Sequence, residues 1–214
     1  MHGLMQGAAT AVVLGVAGTA FGGYGFSVGS SAPTYGTTLT FDEPGGPTGA
    51  TATNAFAGSH GVSYLDAGDG APYVSDVTGI PGYGWCGTGN SLTAVYGVFM
   101  QFDSDITAFS AQFWDPSGPP SFFGGGAVAF LFESGVQVGD LAGYSFTPAW
   151  GGVGDEWVHV TTDGGSVFDE IRILGFGFFP ESHMDNASWN AVPAPGAAAL
   201  LCMAGLGGTR RRRA

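Results

Sequence analysis

The chain of 214 residues contains no lysine, and this absence limits its partners. Four of its five Arg residues, Arg210, Arg211, Arg212 and Arg213, are consecutive, so Arg172 is the only other strong cation against 17 acidic side chains. The formal net charge is −12. Proteins that bind nucleic acids electrostatically need Lys and Arg to displace counterions from phosphates, and anionic membrane surfaces attract basic segments. The composition therefore excludes the first class and argues against a body that lies on an anionic membrane.

Cysteine is also scarce, with only two residues. Cys86 lies in the body of the chain and Cys202 in an apolar stretch near the C-terminus, so no disulfide between them is expected. The fold must then depend on a hydrophobic core. A chain of this length that is 44% hydrophobic and 14% aromatic can form one.

Long helical periods are missing outside the two ends, and short β-prone runs alternate with Gly, Pro and Asp. We expect strands at 37–41, 61–65, 92–102, 105–114, 127–133, 157–161, 168–176 and 184–189. The pattern predicts an all-β fold, an antiparallel two-sheet β-sandwich of jelly-roll type, over residues 37–190. Residues 21–36 are interpreted as a flexible lead-in or a first edge strand, and the run at 66–70 as the turn that stops the second strand.

The two ends have the composition of targeting segments. Residues 1–20 combine an apolar run with small residues suited to cleavage, which predicts a signal peptide and an N-terminal helix. Residues 191–214 place a Pro-containing box, Pro193, Ala194, Pro195 and Gly196, before an uncharged apolar stretch and the four Arg. Such a stretch is near the lower end of the ~17–25 residues that span a bilayer, and a basic cluster after it stays on the cytoplasmic side. We expect a C-terminal anchor helix with the body facing outwards.

This three-part tail resembles the PEP-CTERM sorting signal of bacterial exported proteins, with Ala194 where the family has Glu. The resemblance implies recognition by exosortase, a membrane transpeptidase, and a final location at the cell surface or in extracellular matrix. The body is similar to jelly-roll ectodomains that accompany this tail, which open with a strand ending in Phe-Asp, here Phe41-Asp42. They close with a strand that matches residues 184–189, in which Ala187 stands where an aromatic is usual.

Acidic residues at the two ends of the predicted domain are candidates for a metal site. If the first and last strands are neighbours, Asp42, Glu43 and Asp185 converge, and Ca²⁺ prefers such oxygen ligands. The sequence predicts a structural calcium ion there, with a solvated turn as the alternative. The three His residues of the body, His60, His159 and His183, lack the spacing of zinc or iron ligands.

The remaining signals separate three functions. The favoured one is a non-enzymatic surface protein of structural or adhesive type. The second is a carbohydrate-binding module, with Trp85, Trp114 and Trp150 as candidate sugar platforms. The third is a polysaccharide-active hydrolase, for which the sequence shows neither a nucleophile elbow nor a phosphate-binding loop.

Overall fold

The computed structural model describes residues 19–21, 23–44, 48–49, 51–77, 89–114, 126–148, 157–175 and 181–192. These ranges are dominated by strands, as the short β-prone runs predicted. The elements in chain order are β1 (Thr19–Phe21), β2 (Tyr24–Gly29), β3 (Thr37–Leu39), α1 (Ala57–His60), β4 (Val62–Asp76), β5 (Asn90–Trp114), β6 (Ala127–Glu133), β7 (Val136–Val138), β8 (Tyr144–Phe146), β9 (Trp157–Thr162), β10 (Phe168–Gly175) and β11 (Glu181–Ala191).

The eleven described strands hydrogen-bond into one curled sheet, and the all-β prediction is confirmed. The main path through the sheet runs β1-β2-β9-β5-β10-β6-β7. Off this path, β4 pairs with β5, β8 with β6, and β3 with β11, which itself pairs with β5. The pairs of the main path are antiparallel, as predicted, whereas β11 pairs with β5 in parallel, which the sequence did not predict. A division into two sheets and a jelly-roll strand order stay predictions.

The long strand β5 organises the sheet because it changes partners along its length. Its first half pairs with β4, and its second half pairs with β9. His183 of β11 lies opposite both Thr93 and Trp114, near the two ends of β5. The two halves of β5 therefore flank the start of β11, which places the last described strand in the interior.

Two sequence predictions about strand boundaries were wrong. Residues 92–102 and 105–114 form one strand rather than two, since the exposed residues 103–105 between them remain extended where β5 changes partners. The run at 66–70 does not end its strand, because β4 continues to Asp76. Register shifts after Ala67 and Asp69 absorb the irregular residues as bulges against β5.

Other predicted strands agree closely with the structure. The range 127–133 coincides with β6, the ranges 157–161 and 168–176 differ from β9 and β10 by one residue, and the last strand is longer than predicted. Within residues 21–36, β2 pairs with β1 on one side and β9 on the other. The flexible lead-in predicted at 21–36 does not describe β2, whose Tyr24 and Phe26 are buried in the core. The alternative, a first edge strand, did not anticipate that β2 has a partner on each side.

The core lies inside the curl and contains the inward-facing residues of nearly every strand. Leu65, Met100 and Ile171 form one buried row across β4, β5 and β10. Trp189 of β11 packs on Phe102 of β5 with 5.1 Å between ring centroids. Because a buried large apolar side chain contributes about 1.5–3 kcal/mol, burial of this core stabilises the fold.

Several predictions fall on residues outside the described ranges. These are residues 1–18 of the signal peptide predicted at 1–20, Trp85, Cys86, Trp150, and the tail from Pro193 onward. Thr19 and Ala20, the last two residues of that prediction, lie in β1. Among the residues that the structure describes, no helix is long and apolar enough to cross a membrane. The last described residue, Val192, donates its backbone N–H to the carbonyl of Asp105 over 2.8 Å.

Candidate functional site

Two groups of side chains are candidates for function, and the first is the acidic corner, defined as Asp42, Glu43 and Asp185. Strand β3 pairs with β11, with Leu39 opposite Ala187, which brings the end of β3 beside Asp185. Phe41 has a left-handed backbone with φ of 63°, although its side chain is buried. Such a conformation costs roughly 1–3 kcal/mol for a bulky residue, so the core must hold the turn that presents the corner.

Asp185 is the most deeply buried carboxylate of the corner, with 4% of its surface exposed. The pKa of Asp185 is raised to about 7, mainly by burial and to a smaller extent by the nearby charges of Asp42 and Glu43, against a lowering by the Asn186 N–H. That N–H donates to Asp185 Oδ1 over 2.6 Å, and Asn186 Nδ2 donates to Gln112 Oε1, also over 2.6 Å. Asp185 is thus held in place while its charge is disfavoured.

Asp42 rests against the backbone that leads into β5. Its Oδ1 accepts the N–H of Asn90 over 2.8 Å. Gly89 has φ of 99°, and a Cβ added there would lie 2.5 Å from Asp42 Oδ2. Only glycine therefore allows the carboxylate to approach this closely.

Glu43 is held by a local turn. Its Oε1 accepts hydrogen bonds from Thr40, at 2.7 Å from the backbone N–H and 3.1 Å from Oγ1. His60 Nε2 is 4.0 Å from the same oxygen. Within the described ranges, the buried Oε2 has no hydrogen-bond partner.

The corner brings together the three carboxylates predicted to bind calcium without forming a ready-made chelate. In the described part of the chain, no group of three or more His, Cys, Asp or Glu side chains is arranged to hold a metal ion. Several corner oxygens already accept backbone N–H groups, as given above. The calcium ion stays a prediction, and its binding would require these carboxylates to turn toward a common point.

The second group lines an open cleft of about 280 Å³ on the outer face of the sheet. The cleft is formed by two side chains from each of three adjacent strands: Tyr64 and Asp66 of β4, Phe99 and Gln101 of β5, and Glu170 and Arg172 of β10. Phe99 lies opposite both Asp66 and Arg172, and the lining residues two positions away form a second row. Because alternate residues of a strand share a face, the two rows project outward while the row between them enters the core.

Arg172 is fixed within the cleft by three contacts. Its Nε donates to Glu170 Oε1 over 2.6 Å, while its guanidinium lies 4.2 Å from the ring centroid of Phe132 and 5.4 Å from that of Phe99. The Glu170 side chain is 13% exposed and that of Arg172 is 40% exposed. A guanidinium stacked on rings gains about 0.5–1 kcal/mol at an exposed site, so Arg172 is oriented before any ligand arrives.

A buried polar cluster around His183 was not predicted from the sequence. His183 Nδ1 is 3.1 Å from Thr93 Oγ1 and 3.4 Å from Ser91 Oγ, and its ring stacks on Trp114. Burial lowers the pKa of His183 to about 4. Glu181 Oε2 is 4.0 Å from His183 Nε2, and Ser91 and Thr93 are buried beside the ring. The alternation of Glu181, His183 and Asp185 was the signal available in the sequence.

Of the tryptophans predicted as sugar platforms, the structure describes Trp114, which does not line the cleft. Trp114 is 2% exposed and stacked on His183, so it offers no open ring face to a sugar. Trp85 and Trp150 lie outside the described residues. The aromatic residues of the cleft are instead Tyr64 and Phe99. Their strands were predicted in part, but their pairing across β4, β5 and β10 was not.

Comparison of the chain with protein-family models, with curated proteins and with solved structures finds no significant match.

Proposed function

We propose that this chain is an exported protein of structural or adhesive type, sorted to the cell surface or extracellular matrix through its C-terminal segment, 191–214. The proposal follows from the resemblance of that segment to a PEP-CTERM signal and names an exosortase-type transpeptidase as the partner. The N-terminal segment, 1–20, serves as the export signal. The domain is proposed to be a jelly-roll-like sandwich.

The observation that carries this proposal is the attachment of the tail to the core. Strand β11 is buried along most of its length and lies between β5 and β3. The backbone of Val192 is bonded to Asp105, and the box beginning at Pro193 follows immediately. A pull on the tail is therefore transmitted to an interior strand rather than to a loose loop, which suits a domain that is held by its C-terminus.

Cell fractionation with mass spectrometry of the mature protein tests the proposal. In a host with an exosortase, we expect the mature chain to lack Arg210–Arg213 and to leave the membrane fraction. Replacing the four Arg with Gln should reduce sorting, because the cationic stop is lost. The control is Arg172→Gln, which removes a cation from the body. A mature chain that retains the four Arg would contradict removal of the tail.

Calcium is proposed as a structural ion of the acidic corner. The corner holds three carboxylates. Among the described residues, the basic group beside them is His60, whose Nε2 lies 4.0 Å from Glu43 Oε1. Burial is the main cause of the raised pKa of Asp185, and repulsion from Asp42 and Glu43 adds to it. A divalent cation would offset both effects by pairing with the carboxylates.

A carbohydrate-binding module is the second candidate function, and the cleft favours it. Sugar sites combine aromatic faces with a few oriented polar groups, and the cleft presents both on a rigid sheet. This candidate is compatible with the first, because an adhesive protein needs a ligand. A hydrolase acting on polysaccharide remains the third prediction.

A further inference from the structure

We propose that the cleft over β4, β5 and β10 binds a neutral polysaccharide. This inference rests on the second candidate function and adds the position of the site and the charge class of its ligand. Three steps support it: the ring faces, the hydrogen-bonding groups and the net charge.

The ring faces come from Tyr64 and Phe99. Tyr64 is 44% exposed, so part of its ring is accessible to a ligand. Phe99 is half-buried in the next strand, and the cleft lies between the two and β10. A pyranose ring has an apolar face, and a flat aromatic surface buries it at little entropic cost.

The hydrogen-bonding groups surround these rings. Asp66 and Glu170 provide carboxylate oxygens, Gln101 provides both an acceptor and a donor, and Arg172 provides donors. Arg172 donates its Nε–H to Glu170, and its guanidinium lies over the Phe132 ring. These two contacts orient the terminal nitrogens of the guanidinium. Since strands are about 4.8 Å apart, the three strands spread these groups over about 10 Å, which suits a chain of sugars crossing the sheet.

The charge of the site selects a neutral ligand. Asp66 and Glu170 outnumber Arg172, and the chain as a whole carries a net charge of −12. A polyanion such as a uronate polymer would meet repulsion from the site and from the body. The cleft lies over the faces of β4, β5 and β10, with β5 between the other two. A peptide that adds a strand binds at a sheet edge, whereas a sugar chain can lie across a sheet face.

The test uses the full-length chain in isothermal titration calorimetry with three soluble polysaccharides. Two are neutral, a mixed-linkage glucan and a galactomannan, and the third is the polyanion polygalacturonate. We expect binding to at least one neutral polymer, weakened roughly tenfold or more by Tyr64→Ala. The matched control is Leu141→Ala, which removes an exposed apolar side chain outside the cleft. Equal melting temperatures would show that each variant is folded.

A second variant tests the charge argument. Glu170→Gln removes one acceptor and leaves Arg172 without its ion pair. It should weaken binding to the neutral polymer several-fold and increase binding to polygalacturonate.

The outcomes separate this inference from the function on which it rests. Binding only to polygalacturonate, or neutral binding unaffected by Tyr64→Ala, would overturn this inference and leave the carbohydrate-binding function in place. Absence of binding to all three polymers would overturn both. If the polymer is shortened during incubation, the carbohydrate-binding function is overturned in favour of the third candidate, a hydrolase. None of these results depends on how the tail is processed.

Discussion

The acidic corner and the cleft use carboxylates in opposite ways. In the cleft, Glu170 is paired with Arg172, the one strong cation outside the C-terminal run. In the corner, Asp185 is buried near two other acids, and its pKa rises to about 7. Because Arg172 is the only Lys or Arg outside that run, one of the two regions can be neutralised by an internal Arg–carboxylate pair. The comparison suggests that the cleft is complete without an ion, whereas the corner gains from a proton or a metal.

The largest expected effect is the loss of stability when a glycine that supports the cleft or the corner is replaced by alanine. A Cβ at Gly97, with φ of 132°, would lie 2.3 Å from the carbonyl oxygen of Ile173, while one at Gly89 meets the Asp42 carboxylate. Backbone cannot yield as a side chain can, so Gly97→Ala should lower the free energy of unfolding by roughly 4 kcal/mol and Gly89→Ala by about half of that. Urea denaturation measures both.

The control for this pair is Gly58→Ala in α1, where a Cβ would meet no atom within 4 Å. It should change stability by less than about 0.5 kcal/mol. Equal losses for Gly97→Ala and Gly89→Ala would show that the corner is as rigid as the support of the cleft.

The next effect tests the buried charge of the corner. In EGTA at pH 8, Asp185→Asn should raise the free energy of unfolding by about 2 kcal/mol, since it removes a charge that burial disfavours. The folded pKa of Asp185, about 7, exceeds its ordinary value of 3.8, so the folded state binds this proton more tightly. The wild-type contribution from Asp185 is therefore lost as the pH rises from about 4 to about 7, and the benefit of the variant should disappear near pH 4.

His183 gives the free energy of unfolding the opposite pH dependence, so the effect of Asp185 must be taken as the difference between Asp185→Asn and wild type. Its folded pKa, about 4, lies below the ordinary 6.5, and stability from this group rises with pH across that window. Subtracting wild type from Asp185→Asn at each pH isolates the aspartate. Asp105→Asn, at an exposed carboxylate of β5, is the control variant for the substitution itself. A variant that is less stable than wild type at pH 8 would refute the proposed penalty.

Calcium should remove the same penalty by binding. At pH 8, Ca²⁺ in excess should raise the melting temperature of wild type, with a gain of about 1–2 kcal/mol that follows the logarithm of free ion concentration. Asp185→Asn should lose most of this gain, and EGTA should reverse it. Tyr64→Ala serves as the control in the cleft. An unchanged wild-type melting temperature would eliminate the calcium ion.

The smallest effect belongs to the ion pair of the cleft. Because Arg172 is substantially exposed, solvent screens its attraction to Glu170, and a double-mutant cycle of Glu170→Gln with Arg172→Gln should give a coupling of about 0.5 kcal/mol. A coupling above about 2 kcal/mol would mean that the pair is structural. The cleft would then resemble the corner rather than contrast with it.

The residues of the acidic corner were predicted from the sequence, whereas those of the cleft were not. Asp42 and Asp185 were predicted as neighbours because they stand at the two ends of the predicted domain, and β3 does pair with β11. Tyr64 and Glu170 carried no comparable signal. They come from segments far apart in the chain, and only the register of β4 and β10 on β5 places them together.

The sequence by itself determined the all-β class, most strand positions and the scarcity of cations, because alternation and composition are local properties of the chain. Tertiary structure decided the continuous course of β5, the burial of Trp114 and His183, and the pairing of Arg172 with Glu170. These depend on strand order and register, which are selected by packing the whole core at once. Local patterns that fit several registers equally well do not specify them.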